Sequence, residues 1–162
     1  MGREIRRVPS DWQHPKRKDI YVPMYDEDYD TASQKYQDGV IAWANGDKRD
    51  EEGKLLEEKY YWQYYGNPPS LDHYRQRKWT PEEATHYQMY ETVSEGTPVT
   101  PVFATLEDLA DWLVNKGEMA DTMYERRYSR EAADAFCKEQ WAPSLVVMNG
   151  KLMTGVESLG DK

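Results

Sequence analysis

The chain is poor in the residues from which reactive sites are usually built. It contains one cysteine, Cys137, which excludes an intramolecular disulfide and any cysteine-based zinc site. Its three histidines, His14, His73 and His86, have no second histidine or cysteine at a metal-ligand spacing. No apolar run approaches the roughly 18 residues of a transmembrane helix, so no membrane association is expected. The opening MGREIRRVPS is charged and lacks an apolar h-region, which argues against a secretory signal. Myristoylation needs Ser or Thr at position 6, where Arg6 stands. The ten glycines are scattered and form no phosphate-binding loop. Aliphatic content is also low: 9 Leu, 3 Ile and 10 Val with 2 Phe make about 15% of the chain. Combined with a net charge of -9, that proportion borders on the composition of disordered chains.

Aromatic residues offset that shortage. There are 13 Tyr, 6 Trp and 2 Phe in 162 residues. Each buried ring removes about 150–250 Å² from water, so a few replace many aliphatic side chains. A folded chain with a small, aromatic-rich core is expected, comprising one domain or at most two very small ones. Asp and Glu number 30 against 21 Lys and Arg, the pI is about 4.9 and the mean hydropathy -1.00. This balance argues against direct nucleic-acid binding, which needs clustered Lys and Arg. It favours a partner protein with a basic surface. The charge is uneven: Arg3, Arg6, Arg7, Lys16, Arg17 and Lys18 make the first twenty residues basic, whereas residues 21–66 are strongly acidic.

The pattern predicts an α+β fold with a C-terminal hairpin, several short helices and an extended basic N-terminal arm. Residues 1–25, punctuated by Pro9, Pro15 and Pro23, form the arm. Residues 26–79 form a helical, acidic, Tyr/Trp-rich region. Its helix starts at a cap on Asp28 or Asp30 and buries Tyr29, Ala32, Tyr36, Val40 and Trp43. A second, short helix is expected over 55–65. Residues 80–155 form an α+β module, and 156–162 a frayed tail. Within the module Thr80-Pro81-Glu82-Glu83 is a capping box. Residues 87–93 fit a strand about as well as a helix, and 94–98 form a turn. Thr105 caps a helix ending near Gly117, and Ser129 caps another closed by Pro143. Asn149-Gly150 joins two short strands in a hairpin.

No catalytic residue, metal site or cofactor emerges from these patterns, so an enzyme is not expected. Asp26, Asp28 and Asp30 begin like a calcium loop, but Thr31 and Gln37 stand where its Gly and bidentate Glu belong. Cys137 falls on the inward face of its helix and reads as a small hydrophobe. The segment Tyr60-Tyr-Trp-Gln-Tyr-Tyr65 is the densest feature. Adjacent helical positions diverge by about 100°, so some of its rings are buried and others exposed. Exposed Tyr and Trp serve as binding anchors. The candidate partner-binding residues are accordingly Asp26, Asp28, Glu51, Glu52, Tyr61, Trp62, Tyr64 and Tyr65.

The stretch Gly2-Arg-Glu-Ile-Arg-Arg-Val-Pro9, with Trp12 and His14-Pro15, resembles the start of a set of uncharacterised tailed-phage and prophage proteins. The stretch from Tyr87 to Thr105 (YQMYETVSEGTPVTPVFAT), followed by Leu109 and Trp112, is similar to the C-terminal module of that set. The resemblance implies a phage origin and a place in the cytoplasm of an infected bacterial host. It brings no activity and no catalytic residue. The expected function is that of a phage accessory protein inhibiting a host protein, such as a nucleic-acid-handling defence effector, as anti-CRISPR proteins do. The alternatives are a virion or assembly component and a nucleic-acid-associated protein acting through the basic arm.

Overall fold

The structure, a computed structural model, describes residues 2–93, 95–121 and 126–160. In chain order its elements are β1 (Gly2–Val8), β2 (Lys16–Arg17), β3 (Ile20–Tyr21), α1 (Tyr29–Ala44), α2 (Tyr61–Tyr65), β4 (His86–Thr92) and β5 (Thr97–Pro98). These are followed by α3 (Leu106–Lys116), α4 (Arg130–Glu139), β6 (Trp141–Pro143), β7 (Leu145–Met148), β8 (Lys151–Thr154) and α5 (Gly155–Gly160). The class is α+β, with short helices and the C-terminal hairpin β7–β8. Among the described residues no helix is long and apolar enough to cross a membrane. Two compact units divide the chain: one of residues 1–23 and 79–162, the other Met24–Lys78.

The first unit is built on an antiparallel sheet of order β5-β4-β1-β6. Residues 2–8 are therefore no free arm. β1 lies between two strands, pairing β4 from Gly2↔Thr92 to Val8↔His86 and β6 from Gly2↔Pro143 to Glu4↔Trp141. Two of the six arm cations are buried: Arg3 sits 2.5 Å from Glu91, and Arg6 sits 2.5 Å from Glu4. The segment 86–92 resolves as a strand because it pairs along its whole length with β1.

Ile5 and its register partner Met89 share a core with Leu109, Leu113, Phe136 and Val156. Ala110, Ala133 and Ala142 in the same core let backbones approach closely. Thr105 caps α3 through the Asp108 amide at 3.0 Å, and Ser129 caps α4 through the Ala132 amide at 3.1 Å. Gln140, at φ 60°, turns the chain from α4 directly into β6, so Pro143 pairs in the sheet rather than closing the helix. Positive φ at Asn149 and Gly150 forms the primed hairpin turn. The expected tail instead forms α5, with Val156 buried in the core; residues 161–162 lie outside those described. Ser94 of the expected 94–98 turn is likewise outside them. The capping box at 80–83 forms, Glu83 N–H donating to Thr80 Oγ1 at 3.3 Å, but it starts only a turn.

The second unit packs α1 against α2. Asp28 caps α1 by accepting from Thr31 N–H at 2.9 Å and from its hydroxyl at 2.8 Å. Trp43 is buried and donates to the Glu58 carbonyl at 3.2 Å; Val40, expected inward, is exposed. Only five residues of the expected 55–65 helix are helical, because Tyr60 opens it and Gly66 stops it. The preceding charged segment is an ordered turn, with the Asp50 carboxylate accepting from Glu52 N–H at 3.0 Å and Lys54 N–H at 2.7 Å.

Candidate functional site

Helical geometry sorts the Tyr/Trp segment of the second unit. Tyr61 and Tyr65 are four apart and share a face of α2. Tyr61 packs beside Tyr36 and Trp43, with ring centroids 5.1 and 5.7 Å away, and stacks on Tyr65 at 4.6 Å. It is half-buried and supports the cluster rather than offering a binding surface. Trp62 and Tyr64 point outward. Exposure is 53% for Trp62, 48% for Tyr60, 45% for Tyr64 and 37% for Tyr65. Trp62 lies parallel to Tyr60, 6.3 Å apart, and Tyr64 meets Tyr65 edge-on at 4.9 Å. These contacts fix ring orientations before any partner arrives.

Tyr65 joins the rings to the acidic turn by donating its hydroxyl to the Arg49 carbonyl at 2.9 Å. Desolvation raises the pKa of its phenol, as do Tyr61, Tyr64 and the Glu51 and Asp50 carboxylates. Glu51 and Glu52 are exposed on this turn. Tyr64 and Tyr65 thus lie beside the acidic turn that carries Glu51, while Trp62 stacks with Tyr60 and is exposed on another side of the short helix. Asp26 and Asp28 are at the opposite end of α1. Asp26 is exposed, 3.5 Å from Arg75. Asp28 is buried, and its carboxylate is occupied by the helix cap, so it cannot meet a partner. Burial opposes its charge, but Thr31 and Arg75 hold its pKa below the ordinary carboxyl value.

The first unit contains a concave feature, which local sequence signals do not disclose. An open cleft of about 1100 Å³ lies between the β2–β3 region, residues 98–102 and the end of α3. Trp12, Lys16, Tyr21, Trp112 and Lys116 line it, with His14 and Gln88 at its polar wall. Pro15, Pro98 and Pro101 supply apolar, donor-free walls.

A buried network supports this wall. Tyr90 Oη accepts from Trp12 Nε1 at 3.1 Å, lies 3.1 Å from His14 Nδ1 and donates to Gln88 Oε1 at 3.0 Å. Gln88 Nε2 donates to the Thr100 carbonyl at 2.8 Å. The Arg6 guanidinium lies over the Tyr90 ring, 4.2 Å from its centroid, and donates to the Glu95 carbonyl at 2.8 Å. Trp12 also packs edge-on against Trp79 at 4.7 Å. Cys137 does not line the cleft; burial in the core raises the pKa of its thiol to about 12. Comparison with protein-family models, curated proteins and solved structures finds no match to this chain.

Proposed function

We propose that the chain is a phage accessory protein that binds a basic surface on a bacterial host protein and inhibits it by occupying that surface. A nucleic-acid-handling defence effector is the favoured kind of target. The observations supporting this reading are the exposed, pre-packed Tyr and Trp rings of residues 60–65 and the acidic turn of Glu51 and Glu52, to which Tyr65 is hydrogen-bonded. Rings already held in place lose little freedom on association, so more of their burial contributes to affinity. Trp and Tyr are the residue types most enriched at binding hot spots. Carboxylates at the rim steer a positively charged partner and mainly affect its on-rate.

The test is capture from lysate of phage-infected bacteria with three tagged proteins: wild type, Trp62→Ala/Tyr64→Ala and Glu51→Gln/Glu52→Gln. A host protein retained by the wild type should be lost in the aromatic variant, corresponding to at least tenfold weaker binding. The acidic variant should weaken capture at low salt and make little difference at high salt, where screening already removes steering. Equal capture by all three proteins would overturn the reading. Recovery of phage structural proteins in place of a host protein would transfer the assignment to virion assembly.

A further inference from the structure

We propose that the cleft of the first unit binds a nucleotide unit, with the base stacked on its indole rings and the phosphate held by Lys16 and Lys116. The inference is independent of the partner-binding face, which belongs to the second unit. It begins with charge. Among the described residues no Asp or Glu lines the cleft, although the chain carries 30 of them. Two exposed lysines a hundred positions apart in sequence converge on the cleft instead. The carboxylates near Lys116 are shared with other cations: Glu118, which also feels the Lys116 charge, accepts from Arg127 at 3.0 Å, and Asp111 is 2.6 Å from Arg130. In a protein of net charge -9, the charged side chains among the described lining residues are thus two lysines.

The ring chemistry narrows the ligand. Trp12 is held by its bond to Tyr90 and by Trp79, and Trp112 packs against Phe103 with centroids 6.1 Å apart. Both indoles are half-buried and reach the cleft, giving flat apolar platforms with fixed orientation. Lys16 sits over the Tyr21 ring at 4.5 Å, which restrains a cation at the rim. Cations with stacking platforms are the elements used to bind single nucleic-acid strands. A cleft of about 1100 Å³ is large for one small ligand and suits more than one nucleotide. Binding that rests on ring stacking and on phosphate charge should tolerate sequence and depend strongly on salt. A free mononucleotide and a single strand offer the same base and phosphate chemistry.

The test uses the full chain and a fluorescein-labelled oligothymidylate twelve nucleotides long, followed by anisotropy across a salt series. The competitors are thymidine monophosphate, inorganic phosphate and polyglutamate. The Lys16→Glu/Lys116→Glu variant should bind at least tenfold more weakly. The slope of log affinity against log salt should fall by about 1.4 for the two lost phosphate contacts. Lys54→Glu/Lys59→Glu makes the same change in net charge on the second unit and should leave affinity within twofold. Intrinsic tryptophan fluorescence of the wild type should be quenched on binding, a readout independent of any variant's folding. Displacement by thymidine monophosphate identifies the free nucleotide as sufficient; displacement only by unlabelled oligonucleotide identifies the strand. Absence of binding, unquenched tryptophan, equal losses in both charge variants, or polyglutamate competing as well as the oligonucleotide would each overturn the proposal.

Discussion

Tyr90 has one hydroxyl proton and two acceptors to choose from, the Oε1 atom of Gln88 and, when His14 is neutral, its Nδ1. His14 Nε2 must carry a proton, because it lies 2.7 Å from the Val22 carbonyl, which can only accept. A doubly protonated His14 would satisfy every atom of this network. Desolvation nevertheless dominates and lowers the His14 pKa from 6.5; the Val22 hydrogen bond opposes the shift, and the Arg6 charge reinforces it. The groups packed around the ring, Trp12, Tyr21 and Tyr90, offer no compensating negative charge. A base whose pKa is lowered by folding favours the native state above its unfolded pKa, and that contribution disappears as pH falls through the folded value. The stability advantage of wild type over His14→Gln in urea unfolding should therefore be larger at pH 7.5 than at pH 5. The other two histidines are common to both proteins and cancel in this difference. An advantage unchanged between the two pH values would show that folding does not disfavour the His14 cation.

At the scale of the element, α1 and α2 depend on a missing methyl group. Gly39 lies inside α1, where replacing Gly by Ala usually gains about 1 kcal/mol. Here an added Cβ would overlap the Tyr61 ring tip, which Tyr36, Trp43 and Tyr65 restrain. Gly39→Ala should therefore destabilise the protein by about 1–3 kcal/mol, the usual range for overpacking. In a Tyr61→Ala background the same substitution should stabilise, and calorimetric melting of the four proteins in the cycle checks the reversal. A stabilising Gly39→Ala in wild type would mean that Tyr61 does not occupy this position.

Elements with local signals were legible in the sequence: Thr105 with Asp108, Ser129 ahead of its apolar face, and Asn149-Gly150 act within a few residues. The extended character of β1 is legible in the sequence, but its pairing within the sheet is not, because that signal is non-local. Arg3 and Arg6 look like an arm's cations until Glu91, Tyr90 and the Glu95 carbonyl arrive from about ninety residues away. The same reasoning separates the two candidate sites. The aromatic face was visible because its rings are contiguous. The cleft was not, because residues near 12–21, 98–102 and 112–119 meet only in the fold.

Across the whole molecule, apolar burial is unequally distributed, and this has a consequence for function. The first unit holds the aliphatic core of Ile5, Met89, Leu109, Leu113, Phe136 and Val156. In Met24–Lys78 the buried apolar side chains are Met24, Ala32 and Trp43, while Ile41, Leu55, Leu71 and Trp62 are exposed. Short segments with little buried surface open at low free energy, often below that of global unfolding. Backbone amides of α1 should therefore exchange with deuterium through local opening, well before those of β1 and β4. Opening here would expose the acidic, aromatic face to the least stable part of its own support, so a partner seated on that face should slow exchange in α1 and leave β4 unchanged. Linkage requires this coupling, since a ligand at free concentration L that binds only the closed form stabilises it by RT ln(1 + L/Kd). Hydrogen exchange of the free protein and of its captured complex measures both effects. Protection of α1 equal to that of β4 in the free protein would contradict the unequal stability inferred from burial. Added protection centred on β4 in the complex would place the partner on the first unit instead of the Tyr/Trp face.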